Sequence, residues 1–388
     1  MPPGSAPIET SSESSPAVAA SPVQFEPLSG QLGAFRALHH RNFRLFFGGQ
    51  FTSLIGTWMQ SVAQGWLVFK LTNSALMLGV VSFAGYLPVL LVTLFAGVVV
   101  DHADRRRLIV VTQALLMLSA FILAALSWAG VVRVEHVIML AAFNGLVTAF
   151  DMPARQTFVV EMVGREDLPS AIALNSMIFN GARVVGPAIA GVLISVIGVT
   201  GCFFLNGLSY IAVIWSLLEM DLAAHETARI GSAMFLRLRE GFEYIWHHRA
   251  SFYLLLLIAI NAGFGMQYSV LIPVFARDVL HGGARAYGFL LAAQGVGALL
   301  GGFVLASCRT PRALRQNLIF GLFGSAAGIF VFGFSTRMWL SLLAQMVIGA
   351  GLLNHTATSN TMIQLFVSNE LRGRVMSMYT LSFIGLAP

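Results

Sequence analysis

Runs of about 20 apolar residues recur along this chain with short polar breaks between them, and a helix of that length crosses a bilayer. The runs begin near Phe43, Leu76, Leu108, His136, Ala171, Gly201, Phe252, Ala286, Asn317, Trp339 and Val375. This pattern predicts an all-α polytopic membrane protein with about 11 helices. Residues 219–250 hold the longest polar stretch and divide the spans into a six-helix bundle over 36–218 and a second bundle over 251–388. Two such repeats are common in secondary transporters. If the halves match in length, the second is incomplete, because Phe43 and Leu218 are separated by 175 in sequence and the last span stops at Pro388. Val375 to Pro388 gives about 21 Å of helix against a hydrocarbon core near 30 Å, so a C-terminally shortened form is expected.

Residues 1–35, rich in Pro, Ser and Ala, read as a disordered tail. In the central stretch Met234, Phe235, Leu238, Phe242, Ile245 and Trp246 recur at helical spacing among Arg237, Arg239, Glu240 and Glu243. That spacing predicts an amphipathic helix on the inner membrane surface.

Polar residues also recur inside the spans, and in a bilayer such a stripe marks the face turned to protein or water. The first span carries Gln50, Ser53, Thr57, Gln60 and Gln64; the fourth, Asn144, Thr148, Asp151 and Arg155; the fifth, Ser176, Asn180 and Arg183. The tenth carries Asn354, Thr358 and Thr361 beside His355, and the seventh has Asn261 and Tyr268 about Gly265. Either these residues only bond neighbouring helices or they line a wet central cavity, and five aligned in one helix favour the cavity. Arg183 lies deep in its span, at a cost between about 2.5 and 17 kcal/mol unless it reaches water, a partner or an anionic ligand. It serves either a structural pair or a negatively charged substrate. Asp151 and His355 are the titrating groups placed to carry a proton, although Asp151 can pair with Arg155 one turn on and His355 can be a bonded interior histidine.

Composition sharpens the class. Of 388 residues 57% are hydrophobic and 10% charged, with a mean hydropathy of +0.78; soluble domains carry about 25% charged residues, so a water-soluble fold is excluded. The net charge of +6 rests almost wholly on arginine. With the tail inside, 17 basic residues face the cytoplasm: Arg36, Arg41, Arg44, Arg105, Arg106, Arg107, Arg155, Arg165, Arg229, Arg237, Arg239, Arg249, Arg309, Arg312, Arg315, Arg372 and Arg374. The opposite side holds five, Lys70, Arg133, Arg277, Arg285 and Arg337. The positive-inside rule therefore predicts a cytoplasmic N-terminus, and the scatter of charge gives no nucleic-acid patch. Cys202 and Cys308 are predicted on opposite faces, too far apart to pair. There is no phosphate-binding loop, metal-spaced Cys/His set or nucleophile elbow, so no enzyme activity, cofactor or metal is expected.

After the second span stand Gly97, Asp101 and then Arg105, Arg106 and Arg107, with His102 and Asp104 between. This resembles the loop motif of the major facilitator superfamily, whose basic cluster pairs with acids on adjacent helices to hold a gate, although a charge run can also serve orientation alone. The fifth span, with Gly181, Gly186, Pro187 and Gly191, resembles the Gly-Pro motif of exporters in that superfamily. The runs Phe150 to Gln156, Ala173 to Ser176, Asn180 to Pro187, Leu371 to Ser377 and Gly385 to Pro388 are similar to its transmembrane secretion effector branch, which includes enterobactin exporters and macrolide efflux proteins.

The resemblance implies a twelve-helix, proton-driven exporter of the bacterial inner membrane, in which two bundles rock about a central cavity lined by spans one, four, seven and ten. It implies a gating set of Gly97, Asp101, Arg105, Arg106, Asp151, Arg155 and Glu161, and a packing motif of Gly186, Pro187 and Gly191. Cavity candidates are Gln60, Asn144, Arg183, Asn261 and His355. The expected partners are protons, lipid and an amphipathic small molecule such as a siderophore, macrolide or other drug, bound by a monomer. A receptor or scaffold that binds without transporting is the alternative.

Overall fold

In hydrocarbon every backbone N–H and C=O must be satisfied within its own segment, so each apolar run folds as a helix. The computed structural model describes residues 33–164, 166–221, 248–308 and 310–367, with Val375 and Tyr379. A short 3-10 turn, Gly33–His39, leads into α1 (Arg41–Thr72), α2 (Ala75–His102), α3 (Arg105–Trp128), α4 (Val134–Val163) and α5 (Leu168–Leu218). After the central stretch come α6 (Arg249–Ile260), α7 (Gly283–Ser307), α8 (Pro311–Phe334) and α9 (Met338–Phe366). The expected tail over 1–32, the amphipathic helix over 234–246 and the eleventh span lie outside the described residues, apart from Val375 and Tyr379.

At 1.5 Å per residue α5 would be about 75 Å long, more than twice the hydrocarbon core. It breaks at Gly198, whose φ of 71° and ψ of 178° suit a residue without Cβ. The register against α1 shows that the chain turns back there. Phe51 meets Gly181 and Ile55 meets Gly186, while Gly49 meets Ser216 and Gly56 meets Ser209. One arm thus runs parallel to α1 and the other antiparallel, so α5 is the predicted fifth and sixth spans. Ten of the eleven predicted starts fall on described helices.

The seventh span is broken. α6 passes into a π turn at Asn261–Gly265, a 3-10 turn at Gln267–Leu271 and a second π turn at Phe275–Val279, a form that marks functional sites in helices. Gln267 Nε2 donates to the Ala262 carbonyl at 3.2 Å, satisfying one group freed by the break.

Successive helices alternate direction, which sorts their ends onto two faces. One bears Arg36, Arg41, Arg44 and Arg105–Arg107 and is the arginine-rich face; the other holds the Asn73, Gly130 and Gly198 turns. Toward the arginine-poor face one apolar core runs through both bundles, joining Val62, Leu67 and Phe69 to Ile272, Tyr287, Leu290 and Ile348. Toward the arginine-rich face the core splits. Phe43, Phe46, Phe158, Val213 and Leu217 pack within the first bundle, and Leu254, Ile258, Ile363 and Val367 within the second. Among the described residues, the bundles share a core on the arginine-poor side and have separate cores on the other.

Small residues let helices meet at backbone distance. A Cβ on Gly297 would run into the Met346 carbonyl of α9, and one on Gly145 into the Gly85 carbonyl of α2, whereas one on Gly97 would meet nothing within 4 Å. Gly297→Ala should therefore lower the thermal midpoint, at a cost of about 1–3 kcal/mol, and Gly97→Ala should not. Equal midpoints for the two purified variants would contradict this packing.

Candidate functional site

The loop between α2 and α3 builds a charged network on the arginine-rich face. Asp104 caps α3, accepting from the Arg107 backbone N–H at 3.1 Å, and pairs with the Arg107 side chain at 3.2 Å. An acidic cap at a helix start is favoured by its free N–H groups and dipole. In the sequence Asp104 stands only as a residue between Asp101 and the arginines, yet an Asp immediately before a helix is the signal for a cap. Arg105 pairs with Glu161 of α4. Arg106 donates to the Leu217 and Leu218 carbonyls, both at 2.7 Å, capping the C-terminus of α5. Gly97 and Asp101 lie in α2; the Asp101 side chain is outside the described set.

Asp151 is fully buried in α4. It accepts from Thr112 Oγ1 at 2.7 Å and Gln113 Nε2 at 2.8 Å on α3, and pairs with Arg155 one turn on. All of its capacity is directed at neighbours within the first bundle. The same holds along this face: among the described residues no ion pair joins the two bundles there. Outside the spans, His40 Nε2 stands 2.9 Å from Asp167 Oδ2 and Arg36 Nε 3.1 Å from Oδ1. The His40 hydrogen bond, assisted by Arg36, holds the Asp167 carboxyl below the usual carboxylate range.

The seam between bundles is formed by α5 and α7. A Cβ on Gly288 would stand 2.6 Å from both the Gly191 Cα and the Pro187 carbonyl, and one on Gly295 would stand 3.1 Å from the Arg183 carbonyl. Gly186 lies against α1 at Trp58 and Ile55. The Gly-Pro motif thus brings α5 backbone to backbone with α7 through Pro187 and Gly191, and against α1 through Gly186. Further along the seam, Arg277 donates to Asn73 and lies over the Phe69 ring at 3.9 Å, and Arg285 donates to Ser195 at 3.2 Å.

Arg183 sits one turn before Pro187, with its guanidinium 5.7 Å from the Trp58 ring centroid. Among the described residues it has no carboxylate partner. Tyr86 and Tyr268 lie within reach of its charge. Tyr268 belongs to a chain of hydrogen bonds in the second bundle: Gln294 Nε2 donates to Tyr268 Oη at 2.7 Å, and Tyr268 donates to Gln345 Oε1 at 3.0 Å. Gln345 is fully buried, and its Nε2 has no partner. Sequence reading missed Gln294, which stands alone among apolar residues, and Gln345, whose one polar neighbour a turn away, Ser341, makes too short a stripe to mark it.

The other cavity candidates are dispersed. Gln60 accepts from Asn206 Nδ2 at 2.7 Å inside the first bundle. Asn144 lies beside the α2–α4 contact, with its Oδ1 buried and unpartnered. Asn261 packs on Gly265 in its own π turn. His355 is buried where α9 meets α8 at Gly321, with Nδ1 unpartnered. Gln60 and His355 are thus inside single bundles, and only Arg183 of the five stands at the seam. Among the described residues no group of three or more His, Cys, Asp or Glu could hold a metal ion, and both cysteines are free.

Residues 32–387 match the family model described as transmembrane secretion effector, within the major facilitator superfamily. The chain is 24% identical over 273 residues to a staphyloferrin A transporter of Staphylococcus aureus, covering 70% of this chain and 67% of that protein. It is 27% identical over 334 residues to the multidrug efflux pump Tap of Mycolicibacterium fortuitum, covering 84% and 81%. In fold it is similar to a bacterial homologue of the human lysosomal transporter Spinster in an inward-facing, unoccupied conformation. The TM-score is 0.68 at 15% identity, over 92% of this chain and 81% of that one.

Removing one member of a buried pair leaves the other uncompensated, so Asp151→Asn should cost about 3 kcal/mol in thermal unfolding, and Asp151→Asn with Arg155→Gln should cost less. An unchanged midpoint in the single variant would dismiss the network as structural. The depressed carboxyl of Asp167 stabilises fully above the ordinary value near 4 and loses that contribution as pH falls through its lower folded value. The midpoint of the wild type should then fall more steeply below about pH 4 than that of Asp167→Asn.

Proposed function

This chain belongs to the transmembrane secretion effector family, and we propose that as a membrane transporter it exports an amphipathic small molecule across the bacterial inner membrane by proton antiport. The observation that carries this reading is the asymmetry of the core, continuous between bundles toward one face and split toward the other. Alternating access requires bundles that can part on either side of a fixed site, and rigid bundles meeting at a glycine seam meet that need. The names of the siderophore and multidrug relatives support an amphipathic cargo. The 17 to 5 distribution of basic residues supports a cytoplasmic arginine-rich face, which makes the described state inward-open. A monomer suffices, because the seam and both cores come from one chain.

Arg105, Arg106 and Glu161 fasten helices inside the first bundle, with Asp104 capping α3, and leave it free to swing as a unit. Asp101 and Gly97 belong to the same gate by resemblance. Arg155 holds Asp151 in an ion pair within the first bundle. His355 is the stronger coupling candidate because its Nδ1 lacks a partner and its ring can gain a proton without breaking an ion pair.

Arg107 is exposed, at 86% of its side-chain surface. With Cys202 and Cys308 changed to Ser, Arg107→Cys should resist a membrane-impermeant maleimide in intact cells and react after permeabilisation. Labelling of intact cells would invert the topology. In liposomes, uphill transport should stop when a protonophore is added, and His355→Gln should lose uphill transport while keeping counterflow. Transport indifferent to the protonophore would refute proton coupling, and an absence of counterflow for every amphiphile tested would favour a binding protein.

A further inference from the structure

We propose that Arg183 and the Gln294–Tyr268–Gln345 chain form one composite subsite, straddling the bundle seam, for an oxyanion such as a carboxylate on the transported molecule. This rests on the export reading and names the chemistry of its cargo.

The first ground is an uncompensated cation. A guanidinium in mid-membrane is costly without a counter-charge, and among the described residues Arg183 has no carboxylate partner, only the Trp58 ring and, within reach of its charge, Tyr86 and Tyr268. The buried carboxylate within a span, Asp151, is already occupied by Thr112, Gln113 and Arg155. The second ground is a donor without an acceptor. Because Gln294 donates to the Tyr268 hydroxyl, that hydroxyl passes its own proton to Gln345 Oε1, and the Gln345 amide N–H groups are left over. A buried donor with no acceptor costs about 1–3 kcal/mol, and Gln345 Nε2 is one.

Tyr268 and its neighbours connect the two features across the seam. Gln294 precedes Gly295, which packs on the Arg183 carbonyl, and Tyr268 lies within reach of the Arg183 charge. Arg183 belongs to the first bundle and the amide chain to the second. A ligand oxygen taken by both is held by charge-assisted bonds from either side of the seam. Trp58, edge-on to Phe179 at 5.8 Å, offers an apolar flat surface next to the charge. The subsite therefore suits a molecule with an aromatic or apolar body and an acidic group, and gives a cationic amphiphile no carboxylate to pair with.

Two dyes on one xanthene scaffold test this. Fluorescein is anionic and rhodamine 123 cationic, and their binding to the full chain in nanodiscs is read by fluorescence anisotropy, with citrate as competitor. The expected result is fluorescein binding about tenfold or more tighter than rhodamine 123 and displaced by citrate. In Arg183→Gln the ratio between the dyes should fall to about one, and Arg183→Lys should retain most of it. Gln345→Leu should weaken fluorescein about tenfold, as loss of a bond to a charged group implies. If Arg183→Gln does not fold, as judged by thermal unfolding, the Lys and Leu variants decide. Equal affinity for both dyes in the wild type, or an unchanged preference in Arg183→Gln, overturns the inference while counterflow of either dye leaves the export reading intact. Failure of both dyes to bind and to support counterflow counts against that reading itself.

Discussion

The contact between the α5 and α7 backbones at Gly191, Gly288 and Gly295 is the constraint from which the rest of the architecture follows. Lipid tails are as apolar as leucine, so helices in a bilayer gain little by hiding leucines from them and hold together by close packing and interhelical bonds. Glycines permit the backbones of two bundles to approach where side chains would keep them apart. That approach joins the arginine-poor halves of both bundles into one core. It also sets the level at which Arg183 meets the second bundle, against Gly295 and near Tyr268.

Two buried charges show opposite ways of meeting the cost of ions in hydrocarbon. Asp151 is satisfied completely within its bundle, by two neutral donors on α3 and by Arg155. It ties α3 to α4 and leaves nothing over for a ligand. Arg183 is satisfied by none of the described side chains beyond a ring face, and it stands where the bundles meet. The charged groups of the arginine-rich face follow the first pattern: Arg105, Arg106 and Arg155 all find partners inside the first bundle. A bundle braced internally holds together as one body, and the seam is where a buried cation stands without a carboxylate among the described residues.

Helix starts were legible in the sequence because bilayer thickness fixes span length, so ten predicted starts coincide with described helices. Even the hairpin at Gly198 was implied, since no single span could hold 51 residues. The seventh span offers only Asn261 and Tyr268 about Gly265 rather than a regular stripe, and the structure shows the helix broken by two π turns at that place. Asp104 could have been found from the preference of acids for helix starts. The polar stripes were less informative than they looked. A stripe establishes that a face avoids lipid, but a hydrogen-bonding helix and a wet cavity avoid it equally. Gln60 answers to Asn206, 146 positions away, and Thr358 to Asn317 on α8 at 2.8 Å; neither partner follows from local spacing.

The sequence by itself determined that this is a helical membrane protein, where its spans begin, which face gathers arginine and which family motifs it carries. Those properties depend on segment length, local periodicity and charge count, all of which act along the chain. The tertiary structure alone decided which polar residues are spent inside a bundle and which remain at the seam, and it joined Gln294 and Gln345 through Tyr268. Those assignments depend on which helices touch and at what register, and that is set by glycine-to-backbone contacts between segments about 100 residues apart, such as Gly191 with Gly288.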